Sequence, residues 1–200
     1  PSSAASDVYK RQLQQQNKDD PSDDTLMSAV AEGDARAFDV LVKRHLKRAY
    51  NVAYGMVYNA TDAQDVAQDA MMRVWMYAPT WRAGEAAVTT WMHRIVVNCC
   101  YDFLRKKSRL PQGGDISPDI QDMTANTESD YAEAEKKKRL RAMLRSLPER
   151  QRMAVTLCYL DEMSNAEAAA VMGVHIKALE GLLVRARKAL KPMLETLGQD

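Results

Sequence analysis

Apolar residues recur at three- and four-residue steps along most of the chain, and no stretch alternates with the period of two that a half-buried strand shows. The stripe Phe38, Leu41, Val42, His45, Leu46, Ala49, Val52, Ala53 and Met56 predicts a helix over about 35–58. A shorter helix over 25–33 precedes it and ends at Gly33. Thr61 with Gln64 has the form of a capping box, and Asp62 and Asp65 suit the positive end of a helix dipole. A third helix therefore runs over 61–77 and stops before Pro79. After a loop over 78–87 that holds Trp81 and Gly84, a fourth helix covers about 88–108 and ends in a basic run.

Residues 110–130 break the pattern with Pro111, Gly113, Gly114 and Pro118, and read as a linker. Helical spacing returns near Ser129, stops before Pro148, and resumes over 149–161. Ser164 and Glu167 form a second capping box, which starts a short helix to Met172. Gly173 sits in a tight turn, and His175 opens a last helix reaching about Leu190. The expected fold is all-α. Two small helical domains, 25–109 and 131–193, are joined by a flexible acidic linker at 110–130, with tails at 1–24 and 194–200.

The first tail has a separate explanation. Residues 2–12 spell what the bases of a transposase adapter used in sequencing libraries encode, so they are set apart as a scar and the whole of 1–24 is expected to be disordered.

Charge changes the picture more than composition does. The net charge of +1 conceals a basic first segment, an acidic middle and a basic end. Residues 111–135 hold seven acids and no Lys or Arg, whereas 136–200 hold thirteen basic residues against seven acidic ones. Basic segments attract phosphate backbones and an acidic connector repels them. No apolar run approaches the ~20 residues of a membrane span, so no membrane insertion is expected. The three cysteines, Cys99, Cys100 and Cys158, offer neither a disulfide framework nor, with His93, a metal-binding spacing. No phosphate loop or nucleophile constellation is found, so the chain is expected to be no enzyme and to need no metal or cofactor.

The segment from Ser164 to Glu180 has helix-turn-helix anatomy. Ala168 is small enough for a close crossing, Gly173 permits positive φ, and Val174 and Leu179 pack the second helix on the first. Such a second helix enters a major groove N-terminal end first, and Arg185, Arg187 and Lys188 further along it suit phosphates.

From Leu147-Pro148-Glu149-Arg150-Gln151-Arg152 through Leu190, the chain resembles region 4 of bacterial sigma factors. Gly33 to Phe38 with Leu41-Val42 resembles region 2.1. Asp62 to Asp69 with Arg73-Val74-Trp75 resembles region 2.2. Trp91-Met92-His93-Arg94-Ile95 with Asn98 and Asp102-Phe103-Leu104-Arg105 resembles regions 2.3 and 2.4. Since no region 3 lies between, the likeness is to the extracytoplasmic-function (ECF) group.

That resemblance implies a cytoplasmic, stress-responsive sigma factor, with core RNA polymerase, promoter DNA and an anti-sigma factor as partners. It implies that Asp65, Gln68, Asp69 and Met72 dock on the clamp helices of the largest polymerase subunit. Trp81, Arg94, Asn98, Asp102, Arg105, Lys106 and Arg109 would serve the −10 element, with Trp81 stacking on an unstacked base. His175, Lys177, Ala178, Glu180, Arg185, Arg187 and Lys188 would serve the −35 element. A departure is Val97, where relatives often carry a basic residue. A sigma-like decoy that binds only an anti-sigma protein, and an ordinary helix-turn-helix regulator, are the alternatives.

Overall fold

The computed structural model describes residues 21–109 and 139–197, and among them every regular element is helical. Helix α1 spans Asp23–Ala31, α2 Ala35–Val57, α3 Ala60–Tyr77 and α4 Val88–Arg109. A helical stretch over 139–145 (α5) begins the second half. It is followed by α6 at Glu149–Val155, which continues as a π-turn through Thr156–Leu160, then α7 at Asn165–Met172 and α8 at Ile176–Leu197. No helix among the described residues is long and apolar enough to cross a membrane. The adapter scar and the linker fall outside the described residues.

Three boundaries differ from expectation. Helix α1 starts at Asp23, inside the expected disordered tail, because the Ser22 hydroxyl caps the Thr25 N–H and Asp23 is tied to α2. The Asp23 carboxylate accepts Arg44 Nη1 at 2.7 Å and pairs with His45 Nε2 at 2.6 Å. Helix α3 is capped by Asn59 rather than Thr61. Tyr58 ends α2 in a left-handed conformation, and the Asn59 side chain at once accepts the Asp62 N–H at 2.9 Å. An Asn at this position caps as well as any residue, so the box that starts two residues later is not needed. Helix α8 passes Leu190 and runs to Leu197, through Pro192.

The interior is continuous across both halves. Met27, Leu41, Met56, Val74 and Met92 from the first half and Met153, Leu157 and Leu179 from the second belong to one cluster. A smaller cluster joins Leu144, Leu147 and Ala186 to Tyr58 of the first half. The seam is close because Gly55 has no side chain: a Cβ there would lie 2.7 Å from the Thr156 methyl. Polar ties flank it. Arg48 Nε donates to Asp161 Oδ1 at 2.8 Å, and His93 Nε2 lies 3.4 Å from Asp161 Oδ2, with the His93 and Asp161 side chains less than a tenth exposed. Arg145 Nη2 donates to the Tyr58 carbonyl at 2.9 Å, and the Arg145 and Arg152 guanidinium groups lie 5.2 and 5.9 Å from the Tyr58 ring centre.

Candidate nucleic-acid interface

Helix α4 lays its apolar residues Val88, Met92, Val96, Val97 and Cys100 inward, so the positions between them fall on one outer face. Arg94, Asn98, Arg105, Lys106 and Arg109 are exposed there, and Asp102 is half-buried. Three of these side chains, Arg94, Asp102 and Arg105, are held by protein. Arg94 Nε donates to the Ala170 carbonyl of α7 at 2.7 Å. Asp102 takes Arg105 Nη2 at 2.6 Å on one oxygen and Arg73 Nη1 at 3.0 Å on the other. Asp102 is thus an acceptor for the chain's own arginines.

Trp81 does not face outward. It is 7% exposed, and its indole N–H donates to the Ala86 carbonyl at 3.4 Å, so the loop folds back over it. Its ring surface is packed against the core in this arrangement, so stacking on a base would need the loop to turn it outward. Val97, one residue before Asn98, is buried in the core.

The turn between α7 and α8 follows from its residues. The Ser164 hydroxyl accepts the Glu167 N–H and the Glu167 carboxylate accepts the Ser164 N–H, so the expected box is present. The Ser164 hydroxyl, which also donates to the Glu167 carboxylate at 2.7 Å, and the Ser164 N–H together hold that carboxyl below its ordinary pKa. Gly173 is left-handed, with φ of +64°, and the chain closes with Val174 N–H on the Ala169 carbonyl at 3.0 Å. Buried Ala168 and Leu179 make the crossing. Outside it, His175, Lys177, Ala178, Glu180, Arg185, Arg187 and Lys188 are all exposed. Arg187 Nη2 donates to the Tyr159 hydroxyl at 3.0 Å.

On α3 the exposed residues Asp65, Gln68, Asp69 and Met72 share one face. Met76 extends it by a turn and is more than half exposed. Sequence spacing carried that information, since 69, 72 and 76 are three- and four-residue steps. The seam residues Gly55, Tyr58, Thr156 and Asp161 had only faint signals, such as a glycine inside a helix, and the motif that holds Arg73 did not show its reach to Asp102.

Burial pushes the Cys99 and Cys100 thiols up to about 12, which keeps both as inert core residues at neutral pH. Among the described residues, no group of three or more His, Cys, Asp or Glu side chains is placed to hold a metal.

The sigma-70 region 2 family model matches residues 41–110, and the sigma-70 region 4 model matches residues 137–190. The ECF RNA polymerase sigma factor SigM of Mycobacterium tuberculosis is 36% identical over 175 residues, which cover 86% of this chain and 85% of that protein. The ECF RNA polymerase sigma-E factor of Escherichia coli is 29% identical over 185 residues, covering 88% and 96%. The structure of CnrH, solved in complex with the cytosolic domain of CnrY, superposes with a TM-score of 0.65 at 27% identity and covers 86% of this chain and 96% of that one. RpoE from Bartonella quintana, solved with the anti-sigma factor NepR, has the same fold, with a TM-score of 0.60 at 20% identity, covering 80% and 98%.

Proposed function

The chain belongs to the extracytoplasmic-function sigma factors of the sigma-70 family, and on that premise we propose how its surfaces share the work. It directs core RNA polymerase to promoters, with region 2 serving the −10 element and region 4 the −35 element. It supplies recognition and not catalysis, and it acts in the cytoplasm, where the polymerase acts. Its second partner is an anti-sigma factor, as the complexed RpoE structure suggests for the fold.

Asp65, Gln68, Asp69 and Met72 dock on the clamp helices of the largest polymerase subunit. The carboxylates and the amide meet basic groups there, and Met72 supplies an adaptable apolar contact. On α4, Asn98 reads a base edge, while Arg94, Arg105, Lys106 and Arg109 hold the backbone. On α8, His175, Lys177, Ala178 and Glu180 enter the major groove, and Arg185, Arg187 and Lys188 meet phosphates. The observation that carries this reading is the left-handed Gly173 turn, which joins a box-capped helix to an exposed helix whose outer face is basic.

The two elements lie about 25 base pairs apart, or roughly 85 Å along B-DNA at ~34 Å per turn. Helix α7 touches α4 through Arg94, so the packed arrangement cannot span that distance. The seam must therefore open when both elements are engaged.

Transcription with purified core enzyme across a random promoter library tests the reading. We expect products from templates sharing two motifs, and weaker core association for Asp65→Ala with Gln68→Ala at unchanged helicity. Absence of core-dependent transcription would sink it.

A further inference from the structure

Arg73 stands where the docking face and the promoter face of the first half meet. It lies one turn beyond Asp69 on α3, and its side chain is only 24% exposed. Its Nη2 pairs with Asp69 Oδ2 at 3.0 Å within the helix. Its Nη1 reaches across to α4 and pairs with Asp102 Oδ2, also at 3.0 Å. The second Asp102 oxygen accepts Arg105 at 2.6 Å. A row of alternating charge, Asp69, Arg73, Asp102 and Arg105, therefore runs from one working face to the other. It borders a groove of about 200 Å³ between α3 and α4, with Asp65 and Lys106 also on its walls and Cys99 in its lining.

We propose that Arg73 is a positioning residue for −10 recognition: it fixes Asp102, and Asp102 in turn aims Arg105 at the promoter. The proposal rests on the assignment of Arg105 to the −10 element. An Asp–Arg pair three residues apart on a wet helix surface holds its partners weakly, because both side chains lose rotamer freedom and water screens the charges. A second cation on the far oxygen changes this. The guanidinium fork is planar and rigid, so Arg73 bonded to both α3 and α4 pins the Asp102 carboxylate in one orientation. One Asp102 oxygen then always faces Arg105. The hydrogen bond to Asp102 also raises the Arg73 pKa, the direction expected of a guanidinium held by a carboxylate. Without Arg73 the carboxylate can rotate away, and Arg105 samples orientations of which few meet DNA.

The test uses full-length protein reconstituted with core polymerase. The probe is a fluorescent single strand carrying the −10 sequence recovered from the promoter library. Arg73→Gln should weaken probe binding about tenfold while core affinity stays within about twofold. Arg105→Ala should weaken it too, and the double variant should match Arg105→Ala alone, because Arg73 acts through that residue. Arg73→Lys keeps the charge without the fork and should fall between wild type and Arg73→Gln. If Arg73→Gln fails to fold, Arg73→Lys carries the same epistasis test. Losses that multiply in the double variant, or an Arg73→Gln protein that binds the probe like wild type, overturn the proposal. No effect of Arg105→Ala by itself shows instead that the promoter assignment of α4 is wrong, and the positioning role falls with it.

Discussion

Helices α1–α4 supply most of the main cluster, Met27, Leu41, Met56 and Val74 among it, whereas the second half adds Met153, Leu157 and Leu179 to that same cluster. The cluster that remains to the second half, Leu144, Leu147 and Ala186, is completed by Tyr58 from the first. The first half thus has its own interior, and the second half leans on it. The promoter helices differ in the same sense. On α4, Arg105 is held by an acceptor of the first half itself, Asp102, and on α8 Arg187 is held by Tyr159, while among the described residues no hydrogen bond or ion pair holds the side chains of His175, Lys177 or Glu180 at the start of α8. On the proposed assignment, a fixed Arg105 suits a helix that serves the −10 element, and adaptable side chains suit the helix proposed to read the −35 element.

The sharpest way to break this comparison is a pair of cavities. Leu41→Ala and Leu157→Ala each remove a fully buried side chain and should cost about 2–5 kcal/mol. All three tryptophans, Trp75, Trp81 and Trp91, lie in the first half, so their fluorescence reports on it alone. In Leu41→Ala, fluorescence and helical circular dichroism should be lost together. In Leu157→Ala, circular dichroism should fall first, because the second half detaches while the first survives. Coincident curves in both variants would mean that the halves are equal partners.

Gly55→Ala comes next. Alanine inside a helix ordinarily gains about 0.5–1 kcal/mol over glycine. Here its Cβ would press on the Thr156 methyl at 2.7 Å, and overpacking costs about 1–3 kcal/mol. The net should be destabilising, with faster hydrogen exchange in α6 and α7. A stabilised variant would show that the seam yields easily at this point.

The adaptable reader is probed by salt. Lys177→Ala should weaken −35 binding evenly across sequences and flatten the salt slope by about 0.9 for each phosphate no longer neutralised. Glu180→Ala should instead relax the preference at one base pair, by about 1–3 kcal/mol if it accepts from a cytosine. If neither substitution changes −35 binding, α8 is not the reader.

The smallest effect is expected at Tyr58. Its buried hydroxyl has no hydrogen-bond partner, so Tyr58→Phe should leave neutral-pH stability nearly unchanged. Burial pushes the phenol pKa up to about 12, so between about pH 10 and 12 the folded state holds a proton that the unfolded state has lost. Stability therefore falls as pH rises through that window. Chemical denaturation in this range should show a shallower loss for Tyr58→Phe than for wild type.

The helices were legible because their signals are local. The stripe from Phe38 to Met56, the Ser164 box and the Gly173 turn depend on residues a few positions apart, and all three are present in the structure. The shifted start of α3 comes from competition between local signals: Thr61 has a box, but Asn59 already satisfies the N–H of Asp62. Trp81 is ambiguous because an aromatic in a loop can turn either way, and only the return of the loop to Ala86 decides it. The seam is invisible for a different reason. Arg48 and Asp161 are separated by 113 positions, and neither carries a local mark of its partner. Arg73 belongs to a legible motif, but its reach to Asp102 depends on how α3 crosses α4.

The contact between Gly55 and Thr156 also has a hereditary side. Two codons 101 residues apart describe one small space, and position 55 cannot gain a side chain freely while Thr156 keeps its methyl. A lineage that acquires alanine at 55 relieves the closest contact only if position 156 first gives up its methyl, as Thr156→Ser would, and Thr156→Ala would also remove the hydroxyl at 3.0 Å. Changing 156 first leaves a tolerable void, while changing 55 first leaves a clash, so the permitted path between the two sequences runs in one direction. Descendants of this chain should therefore carry a small residue at 156 wherever 55 has gained a side chain.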